Sequence, residues 1–419
     1  MKITDVKTIL LTGPMSNDSF MLEMTNRRSA AFIEIYSDSG LIGIGETYGG
    51  YFFPESIPAI VEFFKPIIVG QNVFDIAELW RRMYHCGNFW CRVGLGLIVL
   101  NGIEAALWDL KGKMLGKPVY ELLGGKKHNK LLCYASGGPC NYPKERLAQK
   151  IDKYLSLGFK AFKIGAGSWS NEEGEYISTS PQEAANFEGD KMAFVRSHVG
   201  NEIEVLMDGH MGNAFTFTWD LPIAKAALKA LEPYNLFLFE EPLHYTDPWG
   251  YSELSKSTSV KVAGGECLTG TYEWRVFVEV DAFDIGQPDA SFTGGSLEFM
   301  KVAKMLEGRG RTIATHSNSS GGGFMQNLHC GFACANTVIL EVIPDYAGLH
   351  SEIFGDSFIL RDGYAIVTDK PGLGVELSDE VKRKYPFIPG TGEFNPVPGK
   401  ILTSSEYYKN RGDKLNSAL

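Results

Sequence analysis

The chain has 419 residues, 44% of them hydrophobic and 21% charged, which excludes a disordered protein and leaves room for a barrel with a smaller companion domain. A net charge of −10 and a pI near 5.4 exclude a basic face for nucleic acid or for an anionic membrane surface. An anionic small molecule remains admissible, because a bound cation reverses the local field.

In chain order, the start Met1-Lys2-Ile3-Thr4-Asp5 carries charge where a signal peptide needs an apolar core. Phe32–Tyr36 and Gly43–Glu46 read as strands. Helical periodicity follows through Phe74–Arg82 and Leu100–Met114, and Gly116-Lys117-Pro118 stops it. The apolar run Gly94–Trp108, broken by Asn101 and Glu104, is too short and too polar to span a bilayer. Residues 1–130 are therefore expected to form an α+β domain, ending in the turn Leu123-Gly124-Gly125.

From 131 to 368 short apolar strands alternate with helical stretches. The expected strands are Leu131–Ala135, Ala161–Ile164, Ile203–Asp208, Phe237–Glu240, Val262–Glu266, Ala282–Ile285, Thr312–Ala314 and Val338–Glu341. Eight strands separated by helices over this length predict a (β/α)₈ barrel. A doubly wound sheet would need a glycine-rich phosphate loop, and Gly165-Ala166-Gly167 lacks its last glycine. Gly165 to Asp190, with Trp169 and Ser178-Thr179-Ser180-Pro181, reads as an insertion, either at the active-site end or at an oligomer contact. Residues 369–419 are expected to fold back on the N-terminal region. The seven cysteines have no metal-type spacing, and Cys330 and Cys334 read as core residues beside His329, which suits a reducing cytoplasm.

Polar residues recur at the C-terminal ends of the expected strands, the active-site end of a barrel. They are Lys163, Asp208 with His210, Glu240 with Glu241, Glu266, Asp289, His316 and Glu341. From Asp208 onward they follow one another at 32, 26, 23, 27 and 25 residues, about one strand-helix unit each. A single acid after a strand is usually a helix cap, but a set in barrel register is not explained that way. Asp208, Glu240 and Glu266 would converge as three carboxylates from neighbouring strands, the donor type that Mg²⁺ prefers and that Mn²⁺ accepts. Strand alternation turns Glu241 away from Glu240, into a structural role. A divalent cation on a substrate carboxylate would favour loss of its α-proton to a fixed base. His316, with Asp289 fixing its tautomer, is the candidate base.

Leu122-Leu123-Gly124-Gly125, Phe162-Lys163, Asp208, Glu240-Glu241-Pro242, Gly265-Glu266, Gln287-Pro288-Asp289, His316 and Glu341 together resemble the enolase superfamily, mandelate racemase subgroup. The resemblance covers nearly the whole chain. It implies a modified (β/α)₈ barrel with an α+β cap made by the N-terminal region and the C-terminal tail. It also implies Mg²⁺ on Asp208, Glu240 and Glu266, Lys163 beside the enolate oxygen, and Glu341, protonated or sharing a proton, hydrogen-bonded to the bound carboxylate. Racemases of the subgroup carry Lys-x-Lys on the second strand, where this chain has Lys163-Ile164-Gly165, so the opposite-face base is missing. Asp208-Gly209-His210, with the His on the same face of an extended segment, resembles galactonate and mannonate dehydratases, in which that His is the acid that expels a β-hydroxyl. The expectation is an acid-sugar dehydratase giving a 2-keto-3-deoxy acid, taking a small-molecule substrate and forming a homo-oligomer between dimer and octamer. An epimerase or cycloisomerase, or a non-catalytic binding protein on the same fold, is the alternative. Arg27, Arg28 and the stretch Thr47–Phe53 resemble loops that close over substrate, while Trp90 and Arg92 are ambiguous.

Overall fold

The computed structural model describes residues 1–21, 28–137, 143–171, 174–212 and 218–390. Strands β1 (Ile3–Gly13), β2 (Arg28–Ser37) and β3 (Ile42–Thr47) form an antiparallel meander. The first strand was not expected, because its alternation is interrupted by polar Thr8 and Thr12. Helices α1 (Gly49–Phe52), α2 (Ile57–Ile68), α3 (Ile76–Cys86), α4 (Leu95–Leu115) and α5 (Val119–Leu122) follow. Sixteen of the 21 residues of α4 are buried, so it is enclosed on all sides rather than amphipathic. It ends as the sequence predicts: Gly116 takes φ +63°, Lys117 N–H reaches Gly112 C=O at 2.9 Å and Gly116 N–H reaches Lys113 C=O at 3.4 Å.

The barrel runs β4 (Leu131–Ser136), α6 (Lys144–Ser156), β5 (Ala161–Gly165), a hairpin of β6 (Ser168–Asn171) and β7 (Gly174–Ile177), α7 (Pro181–Val199), β8 (Glu204–Asp208), α8 (Leu221–Leu231), β9 (Leu238–Glu240), α9 (Pro248–Ser257), β10 (Val262–Gly264), α10 (Gly270–Glu279), β11 (Ile285–Gly286), α11 (Ser296–Glu307), β12 (Thr312–Thr315), α12 (Gly321–Ala333) and β13 (Thr337–Val342). The order β4-β5-β8-β9-β10-β11-β12-β13 is parallel throughout and closes through β13 on β4. All eight expected strands are present, though the sixth begins at Ile285 and not at Ala282. The expected insertion is smaller than it looked, since residues from Pro181 already belong to α7. Its hairpin leaves the C-terminal end of β5, the end that carries Lys163.

After β13 come α13 (Gly348–Phe354), a hairpin of β14 (Phe358–Arg361) and β15 (Tyr364–Val367), and α14 (Asp379–Lys384). The hairpin pairs β15 antiparallel to the start of β4. The chain then returns to the meander, where Tyr385 C=O accepts from Thr12 N–H at 3.3 Å and Lys382 meets Glu34 at 2.6 Å. No helix among the described residues is long and apolar enough to cross a membrane.

One side chain from each barrel strand fills the axis: Tyr134, Ala161, Leu206, Leu238, Ala263, Ile285, Ala314 and Ile339. Side chains alternate along a strand, so the residue two further on faces the same interior, one step toward the C-terminal end. Those residues are Ser136, Lys163, Asp208, Glu240, Gly265, Gln287, His316 and Glu341. An apolar floor thus passes into a polar layer within one repeat of two.

The meander sits on α4 through a close approach at Gly45, where a Cβ would lie 2.1 Å from Gly102 C=O and 2.5 Å from Ala106 N. Gly45→Val must therefore push strand and helix apart. Overpacking of this kind costs about 1–3 kcal/mol and more where backbone is struck, so a loss at the upper end is expected in urea unfolding. An unchanged unfolding midpoint would contradict this contact.

Candidate active site

Lys163 lies at the centre of the polar layer. Its Nζ is 3.0 Å from Asp208 Oδ2, 3.0 Å from both Glu240 oxygens and 3.4 Å from Glu341 Oε1. Burial would pull the ammonium down, but Asp208, Glu240 and Glu341 hold it well above the ordinary lysine value. Lys160 is exposed, as its opposite face requires.

These three carboxylates respond unequally to one another. Burial and then the charge of Asp208 push Glu240 well above the usual carboxylate range, despite Lys163. Burial also raises Asp208, but His210 and Lys163 outweigh it and hold that group low. At Glu341, burial is overcome by Lys163, by His316 and by donors from Ser136 and Ser317, so its pKa falls to about 2. The Lys163 ammonium lies against one oxygen of Glu341 and the Ser317 N–H donates to the other.

His316 Nδ1 meets Asp289 Oδ2 at 2.8 Å. Because a carboxylate only accepts, Nδ1 carries the proton and Nε2 faces the site. Nε2 is 3.6 Å from Glu266 Oε2 and 3.9 Å from Glu341 Oε2. Burial would lower this imidazole, but Glu266, Glu341 and Asp289 raise it to about 10. On the other side of Glu266, His210 Nε2 is 3.9 Å from Oε1 and 3.6 Å from Asp208 Oδ2. The two imidazoles thus flank one carboxylate.

His210 reaches this place by a route the sequence did not suggest. Residue 210 has φ +50°, a left-handed turn and not an extended segment, and its N–H donates to Asp208 Oδ1 at 2.8 Å. Its side chain is 46% exposed, against 9% for His316, so it stands at the rim. Glu241 is also left-handed, with φ +43°, and its carboxylate accepts the Gly212 N–H at 3.2 Å.

Asp208, Glu240 and Glu266 could hold a hard divalent cation. Three carboxylates gathered on one ammonium, with Glu266 beside them, leave negative charge over, the donors are all oxygens, and the buried Glu266 Oε2 has no hydrogen-bond partner. Glu241, Glu266 and Cys267 also bring ligand atoms within 4.8 Å of one another. That group mixes a sulfur donor with a carboxylate already turned to Gly212, so the set on the barrel axis suits Mg²⁺ better.

From the cap, Arg28 is buried with its guanidinium 3.6 Å from the Tyr51 ring centre, and it donates to Asn318 C=O and Oδ1, two residues past His316. Tyr48, from the stretch Thr47–Phe53, has its ring centre 6.2 Å from that of His316 and packs edge-on to Phe292. Arg27 lies outside the described residues. Trp90 stacks on Phe64 of α2, and Arg92 is exposed. Sequence reasoning missed Phe292, Ser291 and Asn327. The last two hydrogen-bond Asp289, yet nothing in the spacing of a serine or an asparagine marks it.

The chain matches the family model for the mandelate racemase/muconate lactonizing enzyme N-terminal domain over residues 8–124, and that for the enolase C-terminal-like domain over 146–381. It is 30% identical over 356 residues to an arabinonate dehydratase of Saccharolobus solfataricus, covering 84% of this chain and 89% of that one. Against a D-galactonate dehydratase of Pectobacterium atrosepticum it is 31% identical over 360 residues, with the same coverage. Among solved structures, L-talarate dehydratase from Polaromonas, complexed with Mg and L-glucarate, superposes with TM-score 0.78 at 26% identity, over 92% of this chain and 97% of that one. A 3,6-anhydro-D-galactonate cycloisomerase from Zobellia galactanivorans gives TM-score 0.78 at 25% identity, over 92% and 99%.

Lys163 is the partner of three buried acids, so Lys163→Met should be costly in metal-free buffer. Removing one side of a buried ion pair costs about 3–5 kcal/mol. Without the ammonium, Glu240 rises further and Glu341 loses the charge that lowers it, so the penalty is full at neutral pH and shrinks as acid protonates them. Urea unfolding at pH 8 and pH 5 should show the larger loss at pH 8. Equal losses at the two values would mean that the carboxylates do not feel this charge.

Proposed function

The chain belongs to the mandelate racemase/muconate lactonizing enzyme family of the enolase superfamily, and from that premise we propose that it is a Mg²⁺-dependent dehydratase of a sugar acid, removing the C2 proton and expelling the 3-hydroxyl to give a 2-keto-3-deoxy acid. The observation that carries this reading is the pair of imidazoles on the two oxygens of Glu266, one fixed by a buried carboxylate and one at the rim.

Asp208, Glu240 and Glu266 would hold Mg²⁺, which when bound neutralises charge on the substrate carboxylate and so acidifies the proton beside it. His316 acts in its neutral form, which the uncompensated charge of Glu266 and Glu341 opposes and which a cation beside Glu266 would favour. Its Nε2 takes the C2 proton, and Asp289 stabilises the resulting imidazolium through Nδ1–H. Lys163 presents its ammonium to the enolate oxygen. Glu341, a carboxylate already engaged by Lys163 and the Ser317 N–H, holds that lysine in place. His210, half exposed and reachable by protons from solvent, protonates the departing hydroxyl.

Racemisation needs a second base on the opposite face, and position 165, two residues beyond Lys163, is a glycine with no side chain to serve. Cycloisomerisation remains a second reading, favoured by the structural likeness to the anhydrogalactonate enzyme. It would use the same base but break a ring ether at C3 without losing water, so open-chain acids would give no 2-keto product.

A library of aldonic and aldaric acids separates these readings by product. The expected result is a 2-keto acid from at least one member, lost on chelation and restored by Mg²⁺ or Mn²⁺. Full turnover in excess chelator would remove the metal from the scheme, and a library without any 2-keto product would remove the dehydratase.

The two histidines are expected to fail differently. His316→Asn should abolish both C2 exchange in D₂O and product formation. His210→Asn should keep exchange while dehydration slows by about 10²- to 10⁴-fold, the usual contribution of a placed general acid. Dehydration within a few-fold of the parent in His210→Asn would transfer the acid role to His316.

A further inference from the structure

Asp289 is held from behind by a residue on a neighbouring helix. Asn327, fully buried on α12, donates Nδ2–H to Asp289 Oδ1 at 2.7 Å, and its Oδ1 accepts the Ala290 N–H at 2.6 Å. It grips both the carboxylate and the peptide that follows. Ser291 adds its N–H at 2.7 Å and its hydroxyl at 2.6 Å to the same Oδ1. With three donors on Oδ1, the carboxylate cannot turn without breaking them, and Oδ2 alone is left for His316 Nδ1.

The grip is itself anchored. Gln326, next to Asn327, donates to Ser296 Oγ at 3.1 Å and reaches Glu104 Oε2 at 3.5 Å. Glu104, from α4, accepts Ser296 N–H at 2.9 Å and Leu297 N–H at 3.1 Å, capping the start of α11. The turn of α12 that carries Asn327 is thus tied to the helix that follows Asp289 and to the cap.

We infer that Asn327 is a positioning residue of the proton-abstracting dyad, acting through Asp289. It rests on the assignment of His316 as the base. A buried asparagine is a poor helix former and costs about 1–3 kcal/mol if its amide is unpaired. Here each end of the amide meets the segment that carries Asp289, and the result is an imidazole fixed with Nε2 toward the substrate. A helix-to-loop staple would make the same contacts, so the test must separate orientation of Asp289 from stability.

A double-mutant cycle does so. Asn327→Leu, Asp289→Asn and the double variant are compared with the parent in kcat, KM, C2 exchange in D₂O and thermal melting. Asn327→Leu is expected to lower kcat and exchange together by about 10- to 100-fold, the usual effect of losing a partner behind a catalytic ligand, with KM little changed. In the Asp289→Asn background the same substitution should change kcat by no more than about twofold, since the residue through which it acts is already disabled. Equal losses in both backgrounds, or a lower melting temperature with unchanged kcat, would overturn the inference. Asn327→Ser serves if the leucine variant does not fold, and loss of fold in both would assign Asn327 to stability alone. Failure of the base assignment shows separately, as exchange surviving in His316→Asn, because the coupling of Asn327 to Asp289 is read from turnover whichever atom takes the proton.

Discussion

Three carboxylates share one ammonium at the centre of this barrel, and most of the surrounding structure serves that crowding. Asp208, Glu240 and Glu341 converge on Lys163, with Glu266 one strand further round. In water such a cluster would disperse. It persists here because Asp208, Glu240 and Glu341 sit on strands whose positions are fixed by hydrogen bonds on both sides, and because the floor beneath is apolar and close-packed. The same low-polarity floor keeps the charges unscreened, which is why the acids split so widely, Glu240 pushed up and Glu341 held near 2. The excess negative charge is a standing cost to the fold, one that a divalent cation would offset.

The cap is fastened to the barrel by buried acids of a different kind. Glu46 accepts the N–H groups of Gly322 and Gly323 at 2.8 and 3.0 Å, at the start of α12. Glu104 does the same at α11, and Asp109 accepts from Ile44 and Leu373, each at 2.8 Å. Burial pushes Glu104 up to about 7, yet its partners are all donors, including Trp108 Nε1 at 2.6 Å, and they favour the ionised form. The helices so capped are the two that begin directly after Asp289 and His316. Cap position and base position are therefore linked through helix termini and not through a direct contact with either residue.

The repeat of two explains what the sequence shows and what it hides. Each barrel strand is a short apolar run ending in one chemistry-bearing residue, and those residues recur at strand-helix intervals, so Lys163, Asp208, Glu240, Glu266, Asp289, His316 and Glu341 were legible in order. Gly265 breaks the alternation with φ +107°, which places Glu266 in the site although it is three residues past the floor residue Ala263. Asn327 was invisible because it acts from a helix 38 residues beyond Asp289, among small and apolar neighbours. The conformation of His210 was misjudged because a period-two argument holds only while the strand lasts, and β8 ends at Asp208. The surroundings of Glu341 were hidden because Lys163 and His316, which lower its pKa, come beside it only through the order of the strands.

The left-handed turn at His210 gives the last link from backbone to chemistry. A non-glycine residue at φ +50° is strained, and the strain is offset locally by the hydrogen bond from its N–H to Asp208 Oδ1. Had the strand continued, residue 210 would have pointed inward above Asp208, one step beyond the layer of Lys163. The turn carries the imidazole instead to the rim, on the opposite oxygen of Glu266 from His316. A buried base with a fixed partner and an exposed imidazole with access to solvent are two groups with separate proton traffic. That asymmetry suits an elimination, in which one group must take a proton from carbon and another must give one to oxygen. It suits racemisation poorly, since there the two groups must exchange roles on every reverse turnover.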